Sequence, residues 1–214
     1  MARVLLTSGP TRAYLDDVRY LTNASTGRMA LALVRALQAA GHAVTVVSGP
    51  VKIAYPPHTR VMPVTTTEEM LDACLEVLPG VDGVIAAAAP CDFQPRTRAN
   101  GKLPRADGLS LDLVRWVDVV ATLARRARPG QWLVAFALEP DGDAARAMSK
   151  LEAKRCDLVV LNDLSALEGN STNVAVFDRE GACLGRRSGS KRSVAGWLVR
   201  LLGDRLVDSV HDAV

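Results

Sequence analysis

The sequence lacks paired cysteines, long apolar runs and a visible leader segment. Its four cysteines stand singly, without a C-x-x-C pair, as is typical of a cytosolic protein with free thiols: Cys74, Cys91, Cys156 and Cys183. No run approaches the roughly 18 uncharged apolar residues that a membrane span needs. Met1-Ala2-Arg3 leads directly into an apolar strand pattern, so no signal peptide is visible. We therefore expect a cytoplasmic protein that does not interact with a membrane.

Lysine is scarce, and neither sign of charge dominates. The chain has 26 Lys and Arg against 23 Asp and Glu, a balance too even to indicate a surface that binds nucleic acid. Only five of the basic residues are lysines: Lys52, Lys102, Lys150, Lys154 and Lys191. Because arginine is the ordinary cation of this chain, each lysine calls for a specific reason.

Strands alternate with helices along most of the chain, whose length suits one domain over residues 1–214. A buried strand at Arg3–Ser8 is followed by helical periodicity over residues 26–40, with Gly41 at the expected helix end, and by a strand at Ala43–Ser48. Further strands are predicted at residues 60–64, 83–88, 109–114, 132–138, 157–161, 173–178 and 182–186. Further helices are predicted after the capping box Thr66-x-x-Glu69 and at residues 117–126, 143–155 and 191 to about 210.

This alternation predicts an α/β fold with a doubly wound, mostly parallel sheet that is Rossmann-like and covered on both faces. Ligands of such folds bind beyond the carboxyl ends of the strands. The functional residues are therefore expected after Ser8, Ala88, Leu138 and Leu161.

Two glycine-containing segments are candidate anion sites. Small residues after the first strand, around Gly9, permit a turn whose N–H groups face an anion, although an ordinary turn explains them too. Ser25, Thr26 and Gly27 precede the first strong helix, where they serve either an anion at the positive end of the helix dipole or helix capping by Ser25 or Thr26. Asn23 beside them either orients a carboxylate and stabilises developing charge, or is a turn residue.

Two further groups of charged residues suggest phosphate contacts. Residues 89–108 form a polar stretch without periodicity, so Asp92, Lys102 and Arg105 belong either to a mobile lid that closes over phosphates or to a solvated loop. Lys150 and Lys154 lie four apart on one predicted helix, where like charges repel slightly unless an anion lies between them. In a chain that prefers arginine, this spacing favours a phosphate clamp over solvated charges.

Taken together, these motifs resemble the phosphopantothenoylcysteine synthetase family. The motifs that carry the resemblance run in order along almost the whole chain: L-L-T-S-G-P-T-R, R-Y-L-T-N-A-S-T-G-R-M-A, A-A-A-A-P-C-D-F-Q-P, G-K-L-P-R, A-F-A-L-E, K-L-E-A-K-R-C-D-L-V-V-L-N-D and G-N-S-T-N. The resemblance implies a ligase of coenzyme A biosynthesis that joins phosphopantothenate to cysteine through an acyl-nucleotide. It implies CTP as the usual bacterial co-substrate, with ATP possible.

The resemblance also implies roles for individual residues. Asn23, Arg19 and Lys102 match the catalytic positions. The nucleotide-binding positions are matched by Gly9, Ser25, Gly27, Asp92, Lys102, Phe136, Lys150, Lys154 and Asn162. No protein metal ligand is implied, because Mg²⁺ is held mainly by the nucleotide phosphates.

The implied partners are a second copy of the chain and, separately, a decarboxylase. The family is generally a homodimer in which strand-rich segments cross between protomers, and residues 109–114 and 173–186 are the candidates here. Many bacterial members carry the decarboxylase upstream in the same chain, and 214 residues leave no room for it. Either a separate decarboxylase is a partner, or this sequence is one part of such a fusion.

Two other functions remain open from the sequence. Pro10 stands where the family has a glycine and Pro104 where its loop has a second lysine, which keeps a non-catalytic nucleotide-binding relative in consideration. An NAD(P)-dependent short-chain reductase shares the architecture, but the G-x-G-x-x-G turn and a Tyr-x-x-x-Lys pair are absent. Cys91 is interpreted as a packing residue and not as a nucleophile.

Overall fold

The computed structural model describes residues 1–105, 107–138, 156–163 and 169–203, and its largest element is an eight-stranded sheet. In chain order the strands are β1 Arg3–Ser8, β2 Arg12–Tyr14, β3 Tyr20–Thr22, β4 Ala43–Ser48, β5 Arg60–Pro63, β6 Gly83–Ala86, β7 Phe93–Pro95, β8 Leu113–Arg115, β9 Trp132–Leu138, β10 Leu158–Asn162, β11 Ser171–Asp178 and β12 Cys183–Ser190. The described helices are α1 Arg28–Ala39, α2 Thr67–Val77, α3 Val119–Arg126 and α4 Lys191–Leu202, with a 3₁₀ turn at Leu78–Gly80.

The large sheet is parallel except at one edge. Its order is β12-β11-β10-β9-β6-β1-β4-β5, and only the pairings of β11 with β10 and β12 are antiparallel. The chain crosses from one side of β1 to the other, since β4 and β6 flank it, and this is the switch point at which doubly wound folds bind ligands. The predicted Rossmann-like fold is confirmed.

Alternating side chains of the central strand supply the core on both faces. Leu6 packs on one face with Leu33 of α1 and Leu198 of α4. Leu5 points to the other face, where it packs with Met70 of α2 and Leu123 of α3. Each helix pair is thereby held with one end at the carboxyl edge of the sheet, where the functional residues are expected.

None of the helices in the described residues is long and apolar enough to cross a membrane.

Most predicted elements are present, with shifted ends. β9 has the predicted bounds, and the capping box of α2 forms, with the Glu69 N–H donating to the Thr66 hydroxyl. The first helix begins at Arg28 instead of residue 26, because Gly27 adopts a left-handed conformation just before it. The predicted strand at 109–114 is shorter and later, since β8 covers only Leu113–Arg115. The predicted helix at 143–155 lies outside the described residues, as does everything after 203.

Residues 89–108 are not one irregular loop, although the sequence suggested either a mobile lid or a solvated loop there. β7 lies within this segment and pairs with β8, so its first part belongs to a two-stranded sheet. The later part is attached to residues 15–19 through backbone hydrogen bonds, such as Ala99 N–H to Leu15 O at 2.9 Å and Asp17 N–H to Gly101 O at 3.0 Å. The segment lacks helical or alternating periodicity because its contacts are long-range, which sequence patterns do not record.

Candidate functional site

Two adjoining cavities lie at the carboxyl edge of the sheet, beside the switch point. The α1 recess, about 130 Å³, is lined by residues 24–29, 87–89 and 136–138 together with Asn162, Thr172 and Lys191. The β6 cavity, about 370 Å³, is lined by Asn23, Ala24, Ala86, residues 88–90, Asp92, residues 117–120 and 135–138, and Val159. They share a wall formed by Ala24, Ala88, Ala89 and residues 136–138. A larger depression of about 790 Å³ lies beside the amino ends of β1 and β4, away from the edge where this fold binds ligands.

The start of α1 lines the α1 recess through Gly27, Arg28 and Met29. The N-cap residue is Gly27, with φ 71°, and no side chain caps the helix. The alternative that Ser25 or Thr26 caps this helix is therefore wrong. Uncapped N–H groups at the positive end of a helix bind anions readily, so this end of the recess suits a phosphate.

Position 27 requires glycine for two reasons: its φ is positive, and there is no room for a Cβ atom. A Cβ atom there lies 3.0 Å from the Ser8 hydroxyl oxygen and from Ile53 Cδ1, and 3.1 Å from Val51 Cγ1. Only glycine combines the positive φ with this close approach.

Gly9 has the same kind of environment but lies outside both linings. Its φ is 73°, and a Cβ atom there lies 2.7 Å from Val51 Cγ1. Its carbonyl accepts a hydrogen bond from Ala89 N–H at 2.9 Å, which joins the end of β1 to the segment after β6. Gly9 thus allows the close packing of the turn after β1 and does not itself line either cavity.

Asn23 lines the β6 cavity, next to Ala24 of the wall shared with the α1 recess. Its amide Nδ2 donates to Ala89 O at 3.1 Å and to Pro90 O at 2.9 Å. Because two carbonyls take both amide hydrogens, Oδ1 is the atom of Asn23 that remains to contact a ligand. The structure therefore favours an accepting role over donation to a carboxylate.

Arg19 and Lys102 lie outside the linings of both cavities. Arg19 takes part in, and Lys102 lies next to, a set of hydrogen bonds, here called the Asp16 tether, that joins residues 16–19 to Leu103. The Arg19 guanidinium donates to Leu103 O at 2.6 Å, and the Asp16 carboxylate accepts from Leu103 N–H at 3.0 Å and from Arg19 N–H at 2.6 Å. Lys102 is exposed on the segment that these contacts hold. Arg19 thus positions the backbone next to Lys102.

Asp16 is the centre of this tether. Its side chain is wholly inaccessible to solvent. Burial alone would raise the pKa of Asp16, but the N–H groups of Arg19, Val18 and Leu103, with the nearby Arg19 charge, outweigh burial and lower it. The carboxylate is therefore held in its charged form.

Of the remaining predicted residues, some line the cavities and others lie beyond the described residues. Ser25, Phe136 and Asn162 line the α1 recess, while Phe136 and Asp92 line the β6 cavity. Lys150 and Lys154 lie outside the described residues.

Cys91 is a buried thiol. It contacts Thr11 O, with Sγ at 3.5 Å, and burial raises the pKa of the thiol. The structure supports the interpretation of Cys91 as a packing residue.

The sequence reasoning missed Lys191, Thr172 and Arg28. Lys191 is buried although it begins α4, and its ammonium donates to Gly169 O at 3.0 Å. An Arg28 guanidinium nitrogen lies 3.5 Å from the same oxygen. Burial and then the charge of Arg28 lower the pKa of Lys191. The scarcity of lysine could have singled out Lys191. In a chain that prefers arginine, Lys191 needs a specific reason, as do the lysines that match the family.

Within the described ranges, no group of three or more His, Cys, Asp or Glu side chains is arranged to hold a metal ion. A Mg²⁺ ion bound to a triphosphate does not need such a cage.

Comparisons with known proteins agree with the motifs. A family model described as the C-terminal domain of DNA/pantothenate metabolism flavoproteins matches residues 1–205. The coenzyme A biosynthesis bifunctional protein CoaBC of Bacillus subtilis (strain 168) is 39% identical over 184 residues, which are 83% of this chain and 45% of that protein. The chain thus spans about half the length of the curated relatives that it matches.

Solved structures share the fold over nearly the whole chain. The crystal structure of the C-terminal domain of a CoaBC protein superposes with a TM-score of 0.82 at 29% identity, covering 96% of this chain and 98% of that one. A Cab2 mutant, H337A, in complex with phosphopantothenate-cysteine shares the fold alone, with a TM-score of 0.77 at 18% identity over 97% of this chain and 88% of that one. The resemblance indicated by the motifs is confirmed, and the chain belongs to the family of DNA/pantothenate metabolism flavoprotein C-terminal domains.

Proposed function

We propose that this chain is a phosphopantothenate–cysteine ligase of coenzyme A biosynthesis that uses a nucleoside triphosphate, with CTP as the first candidate and ATP as the second. The observation that carries the proposal is the position of Asn23, fixed by the carbonyls of Ala89 and Pro90 in the β6 cavity, next to the wall shared with the α1 recess. An anion at the start of α1 is then adjacent to an acyl group in the β6 cavity.

The proposed reaction has two steps. A carboxylate oxygen of phosphopantothenate attacks the α-phosphorus of the nucleotide, and the bond to pyrophosphate breaks. The amine of cysteine then attacks the acyl carbon, the nucleoside monophosphate leaves, and an amide forms with loss of a proton. Positioning and charge stabilisation supply most of the rate in such phosphoryl chemistry, so the residues are expected to hold groups and not to form covalent intermediates.

The geometry suggests a definite role for Asn23 in the second step. Its Oδ1 accepts a hydrogen bond from the cysteine amine and directs the nitrogen lone pair toward the acyl carbon. Uncapped N–H groups of α1 hold phosphate oxygens. Lys102, on its tethered segment, neutralises charge at the open side of the site. Mg²⁺ enters with the triphosphate and is held mainly by its oxygens.

We further propose that the protein works as a homodimer. Apolar side chains on and beside the β7–β8 pair support this, because Phe93, Leu109 and Leu113 are 53%, 57% and 40% exposed.

The test incubates purified protein with phosphopantothenate, cysteine, Mg²⁺ and either CTP or ATP. We expect pyrophosphate and phosphopantothenoylcysteine in equal amounts, with omission of cysteine leaving the acyl-nucleotide. Tight nucleotide binding without pyrophosphate from either nucleotide would instead favour the non-catalytic relative. Oxidation of NADPH by a carbonyl substrate would favour the reductase.

A further inference from the structure

One wall of the α1 recess carries Thr172 and Lys191 beside Asn162, and the proposed reaction gives the first two no role. Thr172, at the start of β11, is 2% exposed, and its hydroxyl oxygen has no hydrogen-bond partner in the part of the chain that the structure describes. The Oδ1 atom of Asn162, at the end of β10, is likewise buried without one. Buried polar atoms of this kind are costly, so two on one wall point to groups that a ligand supplies.

The same wall carries positive charge from two helices. Arg28 is the first residue of α1 and Lys191 the first residue of α4, and both side chains contact Gly169 O. The N-termini of both helices therefore lie beside the recess, and their dipoles add to the charges of the two side chains. This end of the recess attracts an anion.

Lys191 is placed there by the local fold. Its backbone N–H donates to Asn170 O at 2.7 Å, and the Ser190 hydroxyl caps α4 by accepting from Ser193 N–H at 3.2 Å. The next residue, Arg192, is exposed, whereas Lys191 is turned inward. The inward cation is the compact ammonium, which suits a phosphate as a point charge.

The size of the recess defines the part of the ligand that fits. Cavities for whole drug-sized ligands measure roughly 300–1,000 Å³. The α1 recess, at about 130 Å³, is a subsite that takes one portion of a larger molecule. The ribose phosphate of the nucleotide and the phosphorylated end of phosphopantothenate both offer an anion and a hydroxyl group. The start of α1, which the proposed function gives to the nucleotide, favours the ribose phosphate for this recess.

We propose that Lys191, together with Arg28, binds a phosphate group of the nucleoside triphosphate in the α1 recess, and that Thr172 hydrogen-bonds a ribose hydroxyl of the same nucleotide. The inference rests on the proposed function, because it takes the ligand to be the nucleotide of that reaction. It adds two cations and a hydroxyl to which the resemblance gives no role.

The test is calorimetric titration of CTP, ATP and inorganic tripolyphosphate into the wild type and three variants. Lys191→Met is expected to weaken binding of all three probes by about ten- to a hundredfold, since it removes a charged hydrogen-bond donor. Arg192→Met, its neighbour on the same helix, is the matched control and is expected to change affinity less than about twofold. Thr172→Val is expected to weaken both nucleotides by about fivefold while leaving tripolyphosphate unchanged, because tripolyphosphate has no ribose.

The outcomes separate the inference from the function. If the wild type binds neither nucleotide, both fail. If it binds nucleotide and forms product but Lys191→Met and Thr172→Val bind as tightly as Arg192→Met, the inference is overturned and the proposed function stands. Should Lys191→Met not fold, as judged by its melting curve, Thr172→Val decides, because it replaces a hydroxyl by a methyl group of similar size.

Discussion

At the scale of single residues, the site depends on atoms whose partners are fixed by backbone. Asn23 illustrates this. The motif singled out Asn23 as a candidate site residue, but it did not indicate which atom of its side chain can contact a ligand. Two carbonyls from a segment more than 60 residues away take its amide hydrogens. Only the three-dimensional structure shows that the side chain presents an acceptor.

Replacing Asn23 by alanine is expected to reduce product formation far more than nucleotide binding. The change removes the acceptor in the β6 cavity and leaves the start of α1 intact. The measurement is kcat by pyrophosphate release beside the Kd of the nucleotide. Asn100→Ala, at an exposed asparagine outside both linings, is the control. An equal loss of turnover and affinity in Asn23→Ala would reduce Asn23 to a structural loop residue.

A comparison of Gly27 with Gly41 separates two costs of replacing glycine: the strain of a positive φ and the steric contact of an added Cβ atom. Both have positive φ, 71° and 81°, but a Cβ atom at Gly41 meets nothing within 4 Å, whereas at Gly27 it meets three neighbours. We expect Gly41→Ala to lower the free energy of unfolding by about 1–2 kcal/mol, the cost of a left-handed alanine. Gly27→Ala is expected to cost more and to weaken nucleotide binding, as measured by urea unfolding and calorimetry. Equal costs with unchanged affinity would contradict the close packing at Gly27.

At the scale of elements, regular strands and helices were predictable and the small paired segments were not. β9 and the α2 capping box follow from local patterns of apolar residues and from one Thr-x-x-Glu spacing. β2, β3 and β7 have three residues each, too short to show a period. β2 and β3 pair with each other, whereas β7 forms through pairing with the more distant β8. The Asp16 tether, which holds the segment of Lys102, could not be predicted either, because Asp16 and Leu103 are far apart in sequence.

The Asp16 tether is expected to make stability depend on acid pH. The pKa of Asp16 is lowered in the folded state, so its stabilisation is present above the ordinary value of about 3.9 and is lost as pH falls through the lowered value. Asp16→Asn lacks this contribution at every pH, so its free energy of unfolding varies less over the acid range than that of the wild type. Urea unfolding at a series of pH values measures it.

Asp72 supplies the comparison, since it is an exposed carboxylate on α2. Asp72→Asn is expected to keep the acid dependence of the wild type. If Asp16→Asn kept it as well, the tether would not be maintained by the charge of Asp16.

At the scale of the whole molecule, the apolar surface around β7 and β8 predicts the oligomeric state. Phe93→Glu combined with Leu113→Glu places charge on this surface and is expected to convert a dimer into monomers, as measured by sedimentation equilibrium. Val61→Glu, at a 39% exposed valine on the edge strand β5, is the matched control and is expected to leave the mass unchanged. A wild type that sediments as a monomer would contradict the proposed homodimer.

The outer strand β12 has a consequence for the behaviour of the chain at high concentration. Among the described strands it ends the sheet, and most of its residues are exposed, including Arg186 and Arg187 in the middle of the strand. An open strand edge invites another chain to extend the sheet, but adjacent like charges repel a second copy that approaches edge to edge. The arginines that dominate the basic residues of this protein thus serve on β12 as protection against aggregation.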